Sequence, residues 1–146
     1  LKCLPIEICS LINLEALTLG CSRGHNSNPL TTLPSSISNL KKLRYLDLMG
    51  SNFDSTPMTK IPKVVLKLLS LEFLHCDSFC SLDGIVAGIH RLKKLKSISG
   101  MVKNERIAGK IIKKLPNLQV YNFRTEDGVD IEKTFIGPSY YYEYED

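Results

Sequence analysis

The stretch His75-Cys76-Asp77-Ser78-Phe79-Cys80 gathers the residue types that hold zinc or drive thiol chemistry. A closed zinc site needs four ligands, usually from two paired knuckles, and only one knuckle stands here. Cys-His catalysis needs the two side chains within hydrogen-bond reach. On an extended strand, adjacent residues such as His75 and Cys76 project to opposite faces. Cys76 therefore reads as a buried thiol. No GxxxxGK(S/T), GxGxxG, GxSxG or HExxH pattern occurs, so the chain has no phosphate-cradling loop, nucleophile elbow or zinc-protease helix. The sequence predicts no catalytic residues, no metal site and no cofactor, and any nucleotide bound by a larger protein would sit outside this chain.

The net charge of +4 conceals a segregation. Between Ile85 and Arg124 there are ten Lys or Arg and one acid, Glu105; from Thr125 to Asp146 there are seven acids and one base, Lys133. Clusters such as "RLKKLK" and "KIIKKL" could attract nucleic acid or anionic lipid. Their lysine pairs, however, fill the slots between apolar residues, as Lys41 and Lys42 do, so they read as solvated surface with no nucleic acid expected. The last stretch, "GPSYYYEYED", is acidic and carries four tyrosines.

With 146 residues and 43% hydrophobic content the chain suffices for one domain. No apolar run reaches 18 residues, so no membrane span is expected. An odd set of five cysteines and the lack of an Asn-x-Ser/Thr acceptor suit a reducing, intracellular setting. The chain starts without Met and inside a pattern, and it reads as a segment of a longer protein.

What would position these residues is a repeat. Leu33, Pro34, Ile37, Leu40, Leu43, Leu46 and Leu48 recur 29 residues upstream as Leu4, Pro5, Ile8, Leu11, Leu14, Leu17 and Leu19. They recur 28 residues downstream as Ile61, Pro62, Val65, Leu68, Leu71, Leu74 and Cys76. Weaker copies follow: Ile85, Ile89, Leu92, Leu95 and Ile98 with Gly100, then Ile112, Leu115, Leu118, Tyr121 and Phe123. Spacing by three predicts a 3₁₀ or helical turn, and the closing spacing by two predicts a short strand. A period of this length means stacked coils sharing one core. Strands are expected at 15–19, 44–48, 72–76, 96–100 and 119–123.

"LPxxIxxLxxLxxLxL" resembles the leucine-rich repeat in its intracellular form, with five copies over residues 4 to 124. The resemblance implies an α/β solenoid, with parallel strands on a concave face and short helices or 3₁₀ turns on the convex face. It implies a repeat domain over 1–124 and an acidic, Tyr-rich tail over 125–146. The family's ladder Asn position holds Ser22, Ser51, Phe79, Lys103 and Thr125, and because Phe79 and Lys103 cannot replace Asn, regular geometry is expected only through the third copy. The uneven repeats, with insertions "GCSRGHNSNP" and "GSNFDSTPMT", resemble plant intracellular nucleotide-binding leucine-rich repeat disease resistance proteins. This implies a protein-binding module of an innate immune receptor, in the cytoplasm or nucleus, that recognises pathogen proteins, restrains the receptor's nucleotide-binding domain, or does both. The alternative is a constitutive scaffold of the Ras-group type.

Outward strand positions line up as ladders. One reads Glu15, Arg44, Glu72, Lys96, Gln119, and its alternating charge is expected to hold register. Others place Tyr45 beside Phe73, Asp47 beside His75, and Met49 beside Asp77. These six, Tyr45, Asp47, Met49, Phe73, His75 and Asp77, form the predicted contact site for a protein partner, since aromatic residues give contact area at low entropy cost.

Overall fold

The computed structural model describes residues 4–19, 30–48, 58–76 and 80–134. One sheet runs through it, with strands β1 Ala16–Thr18, β2 Tyr45–Asp47, β3 Phe73–His75, β4 Ser97–Val102, β5 Val120–Thr125 and β6 Asp130–Lys133 in that spatial order. The first five are parallel, each joined to the next by a crossover. They fall inside or across the five predicted windows. A 3₁₀ segment at Ile6–Ser10 precedes β1, and the four crossovers hold 3₁₀ segments at Ser35–Asn39, Lys63–Lys67 and Asp83–Arg91, then helix α1 at Glu105–Lys114. This is the α/β solenoid expected of the repeat.

The spacing by three has a direct cause. In the second coil Ile37 N donates to Pro34 O, Leu40 N to Ile37 O, and Leu43 N to Leu40 O, at 3.0–3.1 Å. Each apolar residue thus closes a turn on the previous one, and a 3₁₀ period eclipses their side chains on one side. Pro5, Pro34 and Pro62 precede the turns with extended ψ of 132°, 148° and 142°, where no N–H is required. The strand then takes over, and Leu46, Leu74 and Ile98 are at most 1% exposed.

Regular pairing does not stop after the third coil. β4 and β5 are longer than the others, six residues each, and stay in register. Backbone bridges and one carboxylate hold this region in line. Ser81 bridges both Lys60 and Met101 in parallel, and the Asp83 carboxylate accepts from Lys103 N at 3.2 Å. The bridge from Lys60 to Ser81 also corrects the alignment of the fourth copy. Leu82, fully buried, is the counterpart of Ile61, and Ile85 is not. The added residues between Leu82 and Leu92 are absorbed by a longer 3₁₀ segment, nine residues against five. Ile85 and Ile89 line the same core.

The two ends differ. Leu11 occupies an inward position yet is 53% exposed, whereas its counterparts Leu40, Leu68 and Leu92 are at most 1% exposed. Ile6 and Ile12 are also exposed, at positions held in coil two by Ser35 and Lys41, so coil one shows more apolar surface than coil two. At the other end β6 pairs antiparallel with β5, a strand the leucine pattern does not foretell. Thr125 Oγ1 accepts from Val129 N at 2.9 Å and Gly128 N donates to Thr125 O at 2.9 Å, closing the hairpin. Asp130, Glu132 and Lys133 give this edge a charged rim, a common device against edge pairing. Both sequence insertions fall almost wholly outside the described residues; only Leu30, Met58 and Thr59 at their borders are seen.

Candidate binding surface on the concave face

Parallel register brings outward side chains of successive strands side by side. Ala16, Tyr45, Phe73, Ser97 and Val120 align in one row, and Thr18, Asp47, His75, Ser99 and Asn122 in the next. Both rows match the ladders expected from sequence. Tyr45 and Phe73 have ring centroids 5.7 Å apart at 43°, and Tyr45 meets His75 edge-on at 5.8 Å. Tyr45 donates to Asp47 Oδ2 at 3.4 Å. All four residues are half-buried and so remain accessible. Four of the six predicted residues therefore form one cluster; Met49 and Asp77 lie outside the described residues.

Burial sets the protonation of the cluster. Desolvation raises the Tyr45 phenol above its usual value, helped by the nearby Asp47 charge and hydrogen bond. Desolvation lowers His75, against an opposing pull from Asp47, so the imidazole is neutral at pH 7. Its Nε2 lies 2.8 Å from Ser97 Oγ. Ser97 is absent from the expected site, and the ladders do not single it out: Ser99 follows His75 in its row and Ser97 follows Phe73, so the contact with His75 is diagonal. A His-Ser contact invites comparison with acyl-transfer chemistry, but Ser97 is 7% exposed and its N–H is used by Glu72 O.

The His75-Cys76 pair divides as strand geometry requires. Cys76 is buried, its Sγ donating to Ser99 O at 3.2 Å, while His75 faces the concave side. Beside the aromatic cluster, Glu72 sits between two cations. Lys96 Nζ is 2.7 Å from Glu72 Oε1, Arg44 Nε donates to Oε2, and Arg44 Nη1 also lies 3.9 Å from Glu15. The alternating ladder is thus a bonded chain across four coils. A polar pocket lined by Glu15, Lys42, Arg44, Ser70, Glu72 and Lys94 lies along it.

The hydrogen bonds from Arg44 and Lys96 lower the Glu72 carboxyl from its ordinary 4.5 to about 2. A depressed acid contributes stability that is complete above its unfolded value and lost as pH falls through the folded one. Glu72→Gln is therefore expected to lower the melting temperature at neutral pH. Its curve should approach that of the parent between pH 4.5 and about 2. Parallel curves over that window, in melts recorded from pH 2 to 7, would show that the ladder does not hold the charge.

No family model matches the chain. A protein of Arabidopsis thaliana named for disease resistance is 28% identical over 123 residues, covering 70% of this chain. The chain has a leucine-rich repeat fold and is similar to this plant disease-resistance protein. It spans 13% of the length of that relative. A leucine-rich repeat protein of Leptospira interrogans is 23% identical, with a TM-score of 0.44 over 85% of this chain and 34% of its own. Among the described residues no helix is long and apolar enough to cross a membrane.

Proposed function

We propose that the segment is the partner-reading part of an intracellular plant immune receptor that also carries a nucleotide-binding domain. It acts in the cytoplasm or nucleus without catalysis of its own, and its partner is a pathogen protein or the receptor's own nucleotide-binding domain. In this reading residues 1–124 are the repeat domain and 125–146 an acidic, Tyr-rich C-terminal tail. The observation that carries this reading is the cluster of Tyr45, Phe73 and His75 around Asp47 on ladder positions that stacking does not need to bury. Interfaces favour aromatic anchors that lose little rotamer freedom, and a single carboxylate among them orients a basic group of the partner. Met49 and Asp77 join the proposed set on their ladder positions alone.

The test is calorimetric titration of the segment with the nucleotide-binding domain of the same receptor added in trans. Tyr45→Ala with Phe73→Ala is expected to weaken binding by about 1–3 kcal/mol, with an unchanged circular dichroism spectrum. Equal affinity of the folded double variant would move the contact to another surface.

A further inference from the structure

The basic clusters take no part in the aromatic cluster, although Lys42 and Lys94 line the polar pocket beside it, and the structure gives them a place. Each coil turns between its convex segment and its strand at Ile12-Asn13, Lys41-Lys42, Leu69-Ser70, Lys93-Lys94 and Pro116-Asn117. These turns lie in register, because the strands that follow them do. Side chains tie the row together: Lys42 Nζ donates to Asn13 Oδ1 at 2.8 Å, Ser70 Oγ to Lys41 O at 2.6 Å, and Asn117 Nδ2 to Lys93 O at 2.9 Å. At strand spacing, five coils make an edge about 19 Å long.

We propose that this edge binds an anionic membrane surface. The convex segments and turns of coils two to five, residues 35–43, 63–71, 83–95 and 105–118, hold eleven Lys or Arg against two acids, Asp83 and Glu105. Every ion pair among the described residues lies elsewhere, in the Glu15–Lys96 ladder and the Arg124–Asp130 hairpin. Among the described residues the cations of the edge form no ion pair, which leaves their charge available to an external anion. Leu69, 55% exposed, stands between the two lysine pairs, and Ile12, 61% exposed, lies beside the first pair in coil one. Apolar side chains in line with lysines match a headgroup boundary, where charge meets phosphate and hydrocarbon enters below it.

A nucleic acid is the less fitting anion. Nine of the eleven cations are lysines, which act as point charges and not as planar forks. All Phe and Tyr of the described residues lie on strands, so the edge offers no ring for base stacking. Its exposed leucine and isoleucine have no counterpart in a phosphate backbone. Binding through this edge leaves the concave cluster open, so the inference stands independently of the proposed partner site.

The experiment is vesicle co-sedimentation of the full 146-residue chain. Vesicles with about 30 mol% phosphatidylserine are expected to retain the chain, and phosphatidylcholine vesicles are not. Each lysine near an anionic surface is worth roughly fivefold in partitioning, so Lys41, Lys42, Lys93 and Lys94 changed together to Gln should lose about a hundredfold or more. Raising the salt from about 0.05 to 0.5 M should release the parent chain, a readout that needs no variant. Leu69→Ser should cost a few-fold more at either salt. Equal retention on neutral and anionic vesicles, full retention of a folded quadruple variant, or salt-insensitive retention would overturn the proposal. So would tighter capture by a 20-mer DNA duplex than by the anionic vesicles at the same salt.

Discussion

Gly100→Ala is expected to lower unfolding stability by about 2–5 kcal/mol, combining backbone strain with overpacking. Gly100 sits in β4 on the inward row that also holds Leu48, Cys76 and Phe123, all buried. Its φ is +155°, a conformation that side-chain-bearing residues rarely adopt. A methyl group there would lie 2.6 Å from Cys76 Sγ and 2.9 Å from Leu82 Cγ. Neither is the far end of a flexible chain, so the coils themselves would have to part. The measurement is the urea midpoint at constant m. Adding Cys76→Ala removes the nearest clashing atom and should recover part of the loss, while the strain in φ stays. A loss under about 1 kcal/mol for the single change would mean that coils three to five have room to spare, contrary to these distances.

The second large effect is a contrast between two identical changes. Leu40→Ala should cost about 3 kcal/mol, within the range for a fully buried leucine. Leu11→Ala should cost less than about 1 kcal/mol, since transfer free energy scales with the area removed from water. The two leucines hold the same place in successive coils, yet one is fully buried and the other 53% exposed. The difference reads the open first coil directly. If both variants lost equal stability, the first coil would be covered in solution, and the melting temperature would then rise with protein concentration.

The leucine register determined most of what matters here. It set the five parallel strands, the side of each strand that enters the core, and the pairing of Tyr45 with Phe73 and of Asp47 with His75. It could do so because a coil whose apolar residues close 3₁₀ turns at every third position, then alternate, has one way to bury them. Two things escaped it because they depend on contacts between distant residues. Asp83 and Ser81 keep the fourth coil in line where Phe79 and Lys103 would have broken an Asn ladder. β6 closes the last coil through hydrogen bonds to β5, which a charged, leucine-poor stretch does not announce. The lysine pairs show the limit most plainly. In the sequence they are solvated fillers between leucines, and only the stacking of coils sets Lys41 and Lys42 beside exposed Leu69 and next to Lys93 and Lys94 on one edge. Charge along a chain is one-dimensional, and a surface exists only once the solenoid has wound it.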